Sequence, residues 1–413
     1  MINEARAAAV YGFYGSCCAF NVEENIMKEI KLVNKIAKVG TDVFDKTKYN
    51  LSDDAANPDA IMVRSANLLD MEFNPELLAI ARAGAGVNNI PLDRCAEAGI
   101  VVFNTPGANA NGVKELAIAA LILASRNVVG GVEWAKTLAG GDDVAKAVEK
   151  GKSKFAGHEI LGKTLGVIGL GAIGGLVANS ARHLGMNVVG CDPYLTVGAA
   201  WSLSSAVAHA DSYDEIYKVS DYITLHVPST KDTKGMINKE TIAKMKNGVR
   251  IINLARADLV NTEDIKEALE SGKVASYVTD FPTEQTLALP NTVNIPHLGA
   301  STEESEDNCA VMAARQLVEY ISNGNIKNSV NFPAVSMPQV GAARICVFHK
   351  NIANMLSQIT AKVSEKGLNI ENMASGSKGE YAYTMLELTV NVPEAVAEAI
   401  KTVDGVLRVR VIQ

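Results

Sequence analysis

Three side chains suited to moving a proton beside a carboxylate lie late in the chain, each just past an apolar run. Arg256 follows VRIINLA, Glu284 follows VASYVT within DFPTEQ, and His297 follows TVNI within IPHLGAST. Oxidation of a hydroxy acid needs a cation on the carboxylate, a base for the hydroxyl proton and a group that orients that base. A guanidinium grips a carboxylate through two parallel hydrogen bonds. An imidazole is the usual base near neutral pH, and a carboxylate beside it fixes its orientation. The pattern therefore predicts Arg256 as the substrate clamp, Glu284 as the orienting group and His297 as the proton carrier. Taken singly, Arg256 also fits a surface loop and His297 a structural role. Among the remaining histidines, His158, His183 and His209 fall in loops or on helix surfaces. His226 ends YITLHVP and is expected to line a crevice rather than react.

A hydroxy acid gives up a hydride as well as a proton, and the sequence supplies a place for an acceptor. Gly169, Gly171 and Gly174, with Ala172 and Ile173 between them, form GLGAIG directly after the run TLGVI and before a helix-compatible stretch. Asp192 closes the next apolar run. Glycines at these three positions allow the tight turn, the approach of a pyrophosphate to the backbone and close helix packing. Amides at the helix start would hold the pyrophosphate, and Asp192 would accept from the adenosine ribose. No Lys or Arg follows in PYLTVGAAWS, which favours NAD over NADP. The competing reading is a glycine-rich packing corner alone.

These groups need strand ends to carry them. IKLVNKIA, DAIMVRS, LLAIARAGAG and GIVVFN predict a small α/β unit before residue 108. TLGVI, MNVVGC, DYITLHV, VRIIN, VASYVT and TVNI alternate with helical segments, which predicts a parallel sheet buried on both faces. NGVKELAIAALILASR reads as a buried helix, and a second helix is expected around 304–322. Residues 331–337, with two prolines, read as a linker. Beyond 341 the order becomes βαββαβ, a ferredoxin-like module. The fold class is thus α/β: two doubly wound Rossmann-like domains and a small C-terminal domain. The expected boundaries are 27–108 with 301–335, then 109–300, then 341–413.

Residues 1–26 read as an extension outside these domains. An export signal is the alternative, but Glu4 and the Gly/Tyr-rich run argue against it. The composition narrows the class further. The chain has 413 residues, 48% hydrophobic and 21% charged, with net charge -7. An acidic balance disfavours a broad nucleic-acid surface. Nothing among the six cysteines has zinc spacing, so no metal is expected, and unpaired thiols suit a reducing cytoplasm. The longest apolar run, 116–124, is too short to span a bilayer.

GLGAIG with Asp192, LHVPST, INLARADLV, DFPTE and PHLGAS together resemble the D-isomer-specific 2-hydroxyacid dehydrogenases over about residues 27–413. The resemblance implies the roles given above for Arg256, Glu284 and His297. It implies that His226, Val227, Pro228, Ala255, Asp280 and Gly299 flank the NAD. It implies substrate contacts from Arg64, Ser65, Ala85, Gly86 and Asn109, and a phosphorylated substrate: 3-phosphoglycerate oxidised to 3-phosphohydroxypyruvate, the first step of serine synthesis. Ala257 stands where the family usually has glycine. The C-terminal module resembles an ACT domain, which implies a homo-oligomer and an L-serine effector at His349, Asn351 and Asn369. A purely dimerising module is the alternative. Asn354 replaces an expected glycine there. Another D-2-hydroxy acid, or an NAD-sensing protein without catalysis, are the rival functions.

Overall fold

The computed structural model describes residues 27–413; the expected extension, 1–26, lies outside the described residues. Runs of Ile, Val and Ala bounded by Gly or Asn become parallel strands, because β-branched side chains suit a pleated surface covered on both faces. The first sheet comprises β1 (Lys28–Val33), β2 (Tyr49–Ser52), β3 (Ala60–Val63), β4 (Ala79–Arg82) and β5 (Val101–Phe103). Its order is β2-β1-β3-β4-β5, all parallel. β2 is absent from the sequence expectation. It is an edge strand with a single buried residue, Tyr49, so it carries almost no apolar signal.

The second sheet comprises β6 (Thr164–Ile168), β7 (Asn187–Cys191), β8 (Ala208–His209), β9 (Tyr222–Leu225), β10 (Val249–Asn253), β11 (Val274–Thr279) and β12 (Thr292–Asn294). It is ordered β12-β11-β10-β9-β6-β7-β8. The two-residue β8 places His209 on an edge strand rather than in a loop. Chain direction across this sheet reverses between β6 and β9. In the first sheet it reverses between β1 and β3. Such switch points open a crevice at the C-terminal ends of the strands.

Two helices join these layers. Ala110–Ser125 buries Ala117, Ala120, Leu121 and Ala124 against β10 and β11. Helix Glu303–Asn323 returns the chain to the first sheet, burying Cys309, Ala310, Ala313, Ala314 and Leu317. A Cβ on Gly40 would come within 2.5 Å of the Ala310 Cβ, so this helix approaches closer than any other residue would permit. Two further helices, Val128–Lys136 and Val144–Gly151, occupy a stretch for which the sequence reading assigned no element.

The third sheet is antiparallel, ordered β14-β15-β13-β16, from β13 (Ala343–Lys350), β14 (Ile370–Lys378), β15 (Tyr381–Leu388) and β16 (Val406–Ile412). Helices Met355–Ser364 and Glu394–Lys401 cover one face. The other face is not solvated. Cys346, Phe348, Tyr383 and Met385 share a core with Leu317, Tyr320, Ile321 and Phe332. The expected linker is ordered within this junction, with Val335 bridged to Ile326.

Candidate active site at the facing sheet edges

The dinucleotide turn has the geometry its glycines require. Gly169, just past β6, has φ 89°, and a Cβ there would meet the His226 carbonyl oxygen at 2.5 Å. A Cβ on Gly174 would lie 1.8 Å from the Gly169 carbonyl oxygen. By contrast, a Cβ on Gly171 would meet nothing within 4 Å. The turn is closed behind and open in front, and helix Ala172–His183 starts there with its amides facing the opening. Ile173 packs inward against the core of this sheet. Asp192 accepts from Leu170 N and Tyr194 N, each at 2.9 Å, so both its oxygens are fixed by backbone. These features fit a dinucleotide: open space at the pyrophosphate, donors beside it and a held carboxylate at the ribose distance along the chain.

His226 faces this turn from the end of β9. Its Nε2 lies 2.9 Å from Thr224 Oγ1, and burial pushes the imidazole down to about 4. Its carbonyl oxygen closes the turn from behind. Val227 touches the turn as well, 2.9 Å from where a Gly169 Cβ would be. Pro228 and the partly exposed Ala255 complete the same edge.

The facing edge belongs to the first sheet. Arg64 and Ser65 leave β3 at its switch point, and Asn34 Oδ1 accepts from the Ser65 and Ala66 amides. Arg64 forms an ion pair with Glu306, in the first turn of helix Glu303–Asn323. Arg82, at the end of β4, donates from Nε to the Arg64 carbonyl at 3.0 Å. Its guanidinium lies along the glycine loop: a Cβ on Gly84 would meet Nη1 at 2.4 Å, and one on Gly86 at 3.7 Å. Burial lowers the Arg82 pKa, and the like charges of Arg64 and Arg256 act in the same direction. The Ala85 carbonyl is held by Asn104 Nδ2 at 2.7 Å. Asn109 caps no amide and sits half-buried at the start of helix Ala110–Ser125.

Arg256 lies past β10, where Asn253 grips its backbone: Nδ2 donates to the Arg256 carbonyl at 2.8 Å. The guanidinium folds back, with Nη1 on the Ala255 carbonyl at 2.6 Å, and remains exposed. His297 is exposed and left-handed, with φ 54°. Asp280 is buried, and its carboxylate accepts from Leu298 N and Gly299 N. Glu284 opens helix Glu284–Leu287, capped by Thr283. No hydrogen bond or ion pair joins Glu284 to His297 among the described residues. The His297 ring instead packs edge-on against Phe281, with centroids 5.1 Å apart.

Sequence reasoning missed Asn34, Arg82, Asn104, Asn253 and Phe281. Arg82 was hidden inside LLAIARAGAG, a run read for its apolar residues. The asparagines act through turns that spacing does not reveal.

The positions in the C-terminal module differ in exposure: His349 is buried, and Asn351 and Asn369 are exposed. His349 is the second-last residue of β13, at the junction that leads into helix Met355–Ser364, and is buried; its Nε2 meets Thr384 Oγ1 at 2.9 Å and its Nδ1 the Lys350 carbonyl at 2.8 Å. Asn351 donates to the Gly379 carbonyl, and Asn369 is exposed before β14. Asn354 takes φ 65°, the left-handed geometry expected of the residue replacing a glycine.

Among the described residues no cluster of His, Cys, Asp or Glu could hold a metal ion, and no single helix is long and apolar enough to cross a membrane. Residues 119–299 match the D-isomer specific 2-hydroxyacid dehydrogenase NAD binding domain. The chain is 31% identical to D-3-phosphoglycerate dehydrogenase of Haemophilus influenzae, covering 83% of both chains. It is 34% identical to the D-3-phosphoglycerate dehydrogenase of Methanocaldococcus jannaschii, over 84% of this chain and 65% of that one. In the relatives of Bacillus subtilis and Archaeoglobus fulgidus it spans 60% and 59% of their length. An NAD+-bound 3-phosphoglycerate dehydrogenase from Entamoeba histolytica superposes with TM-score 0.58 and 27% identity, over 74% of this chain and 99% of that one. A glyoxylate reductase from Paecilomyes thermophila gives TM-score 0.62 and 26% identity, over 74% and 98%. The chain belongs to the D-isomer-specific 2-hydroxyacid dehydrogenases, and its second sheet carries their NAD-binding domain.

Proposed function

We propose that the chain oxidises 3-phosphoglycerate to 3-phosphohydroxypyruvate. The observation that carries this reading is the pair Arg64 and Arg82, joined through the Arg64 carbonyl, with the Arg82 guanidinium along the glycine loop. A substrate with a carboxylate at one end and a phosphate at the other needs more than one cation, and a small unphosphorylated acid does not. The named relatives support the same substrate.

In this reading Arg256 swings from the Ala255 carbonyl onto the substrate carboxylate and polarises the developing carbonyl oxygen. Arg64 exchanges Glu306 for the phosphate, with Arg82, Ser65 and Asn109 beside it. The Ala85 and Gly86 backbone approaches the carboxylate. His297 Nε2 takes the hydroxyl proton once the two sheets draw together over the substrate, and Glu284, which follows the neighbouring strand of the same sheet, turns its side chain onto the imidazole. Gly169–Gly174 and Asp192 would hold NAD, which would supply the hydride acceptor.

The same reading divides the chain at 27–108 with 301–335, 109–300 and 341–413. It treats the last part as an ACT module that pairs chains into a homo-oligomer and takes L-serine near His349, Asn351 and Asn369. It places the enzyme in the cytoplasm. The test is NADH consumption with phosphohydroxypyruvate, compared with hydroxypyruvate, glyoxylate and pyruvate. Preference for the phosphorylated ketoacid is expected. Equal or better turnover of glyoxylate would move the assignment to an unphosphorylated 2-hydroxy acid.

A further inference from the structure

The glycine loop after β4 is pinned from one side by two consecutive residues. Thr105 N donates to the Gly84 carbonyl at 3.1 Å, and Asn104 Nδ2 donates to the Ala85 carbonyl at 2.7 Å. Across a trans peptide the carbonyl and the following N–H point in opposite directions. Both carbonyls face residues 104 and 105, so the Ala85 and Gly86 N–H groups face away from them. Neither amide finds an acceptor among the described residues. The loop is half-buried, and the Arg82 guanidinium lies beside it, with Nη1 3.7 Å from where a Gly86 Cβ would be. Consecutive N–H donors next to a cation suit a carboxylate.

Glycine at 86 lets the Ala85–Gly86 peptide turn at little cost, so its direction depends on what holds it. The only hydrogen bond to its carbonyl among the described residues comes from Asn104. Asn104 is itself fixed at both ends. Its carbonyl accepts from Nε2 of the buried Gln316 at 2.9 Å, and its N–H donates to the Asn328 carbonyl at 3.4 Å. It thus carries the frame of helix Glu303–Asn323 to the loop.

We propose that Asn104 is a positioning residue for the reaction: it holds the Ala85–Gly86 peptide so that the Gly86 N–H, together with the Ala85 N–H, meets the substrate carboxylate. This rests on the reading above that the loop approaches that carboxylate. Without the Asn104 amide the peptide turns, and its carbonyl oxygen opposes the carboxylate. An aspartate at 104 has this effect most strongly, because its oxygens repel the Ala85 carbonyl.

Titration calorimetry on the full chain saturated with NADH tests this without turnover. The probes are 3-phosphoglycerate, glycerol 3-phosphate, which has a hydroxymethyl group in place of the carboxylate, and oxamate, an unreactive 2-keto-acid analogue without a phosphate. The parent is expected to favour 3-phosphoglycerate over glycerol 3-phosphate. Asn104→Ala should cut that preference by about tenfold, leaving glycerol 3-phosphate and NADH binding unchanged. Asn104→Asp, of nearly the same shape, should cut it further, and both variants should weaken oxamate. Thermal melting checks that they fold. Equal weakening of both phosphorylated ligands, or of NADH, is the mark of a merely structural role and overturns the proposal. A preference that survives both substitutions does the same. If the parent binds oxamate but not 3-phosphoglycerate, the phosphoglycerate reading fails by itself, and the oxamate affinities of the variants decide the role of Asn104. A parent that takes up neither carboxylate at about 10 mM overturns both.

Discussion

The Asp280 carboxylate meets the Gly299 amide at 2.8 Å, and this contact fixes the turn that carries His297. The second carboxylate oxygen takes the Leu298 amide at 2.8 Å, and the Asp280 carbonyl takes the His297 amide at 3.1 Å. A Cβ on residue 299 would lie 3.0 Å from the carboxylate, so glycine there makes the grip possible. His297 itself is left-handed, a conformation that a non-glycine residue holds only under constraint from its surroundings. Asp280, 1% exposed, is that constraint.

Asp280→Asn keeps one acceptor and turns an amide N–H₂ toward the other donor. The turn relaxes, and the imidazole leaves its reactive position. Misplacement of this kind costs roughly tenfold to a hundredfold in rate. The expected result is a fall of that size in kcat, with NADH affinity by fluorescence changed much less. Unchanged kcat would remove the positioning role.

Gly174→Ala puts a methyl 1.8 Å from the Gly169 carbonyl oxygen. The turn must open, and the amides that face the pyrophosphate diverge. NADH affinity should fall by more than about tenfold, since several charge-assisted contacts weaken together. Gly171→Ala meets no protein atom, so any loss of affinity there reports the bound cofactor itself.

Arg64 is held by Glu306 in this structure. Glu306→Gln releases that guanidinium for a phosphate. KM for phosphohydroxypyruvate is expected to fall severalfold, and KM for hydroxypyruvate to stay put. Arg64→Ala should raise the first by about tenfold or more and spare the second. Equal effects on both ketoacids would show that Arg64 does not meet the phosphate.

How much of this was legible follows from what each residue does. Gly169, Gly174 and Asp192 lie within one strand–turn–helix–strand unit, so the tight turn that they form was legible from spacing alone. Arg256 and Glu284 each follow a mostly buried strand that is loud in the sequence, and His297 follows a short edge strand, Thr292–Asn294, that is half-buried throughout. Arg82 is equally central but sits inside an apolar run, and only folding lays it along Gly84 and Gly86. The Phe281–His297 packing and the grip of Asn34 on the Ser65 turn are tertiary contacts without a local pattern. The edge strands at Tyr49 and Ala208 bury too little to register. The covered face of the third sheet escaped notice for a related reason. Alternation predicts that a face is apolar, but not which neighbour lies on it.

His226 gives a pH dependence with a definite sign. Burial holds its imidazole at about 4 in the folded chain, against 6.5 when exposed. Below pH 6.5 the unfolded chain takes up a proton that the folded chain refuses. Stability is therefore lost as pH falls from about 6.5 to about 4, and is fully present above that window. One such group gives a slope of at most about 1.4 kcal/mol per pH unit. His349, lowered in the same direction by burial, adds to it. Urea midpoints across pH 4–7 should show His226→Gln with a shallower decline than the parent. Parallel curves would mean that the imidazole is solvated.

Arg344 and Glu387 face each other at 3.1 Å with no exposure, on neighbouring strands of the third sheet. Arg344 also donates to the carbonyls of Asn323, Met337 and Pro338, and Glu387 accepts from Val340 N. The pair thus ties the end of helix Glu303–Asn323 and the 337–340 segment to the sheet. Removing one partner strands a buried charge, which costs about 3–5 kcal/mol. Glu387→Leu should lower the urea midpoint accordingly. Arg344→Met combined with Glu387→Leu should recover much of the loss, because well-packed apolar residues often replace a buried pair at little cost. The double variant would still lack the ties to Asn323, Met337 and Pro338. Its 337–340 segment should therefore be cut faster by protease than the parent's, even where the overall stability matches. Equal cutting would mean that the shared apolar core around Phe348 and Tyr320, and not the ion pair, holds the junction.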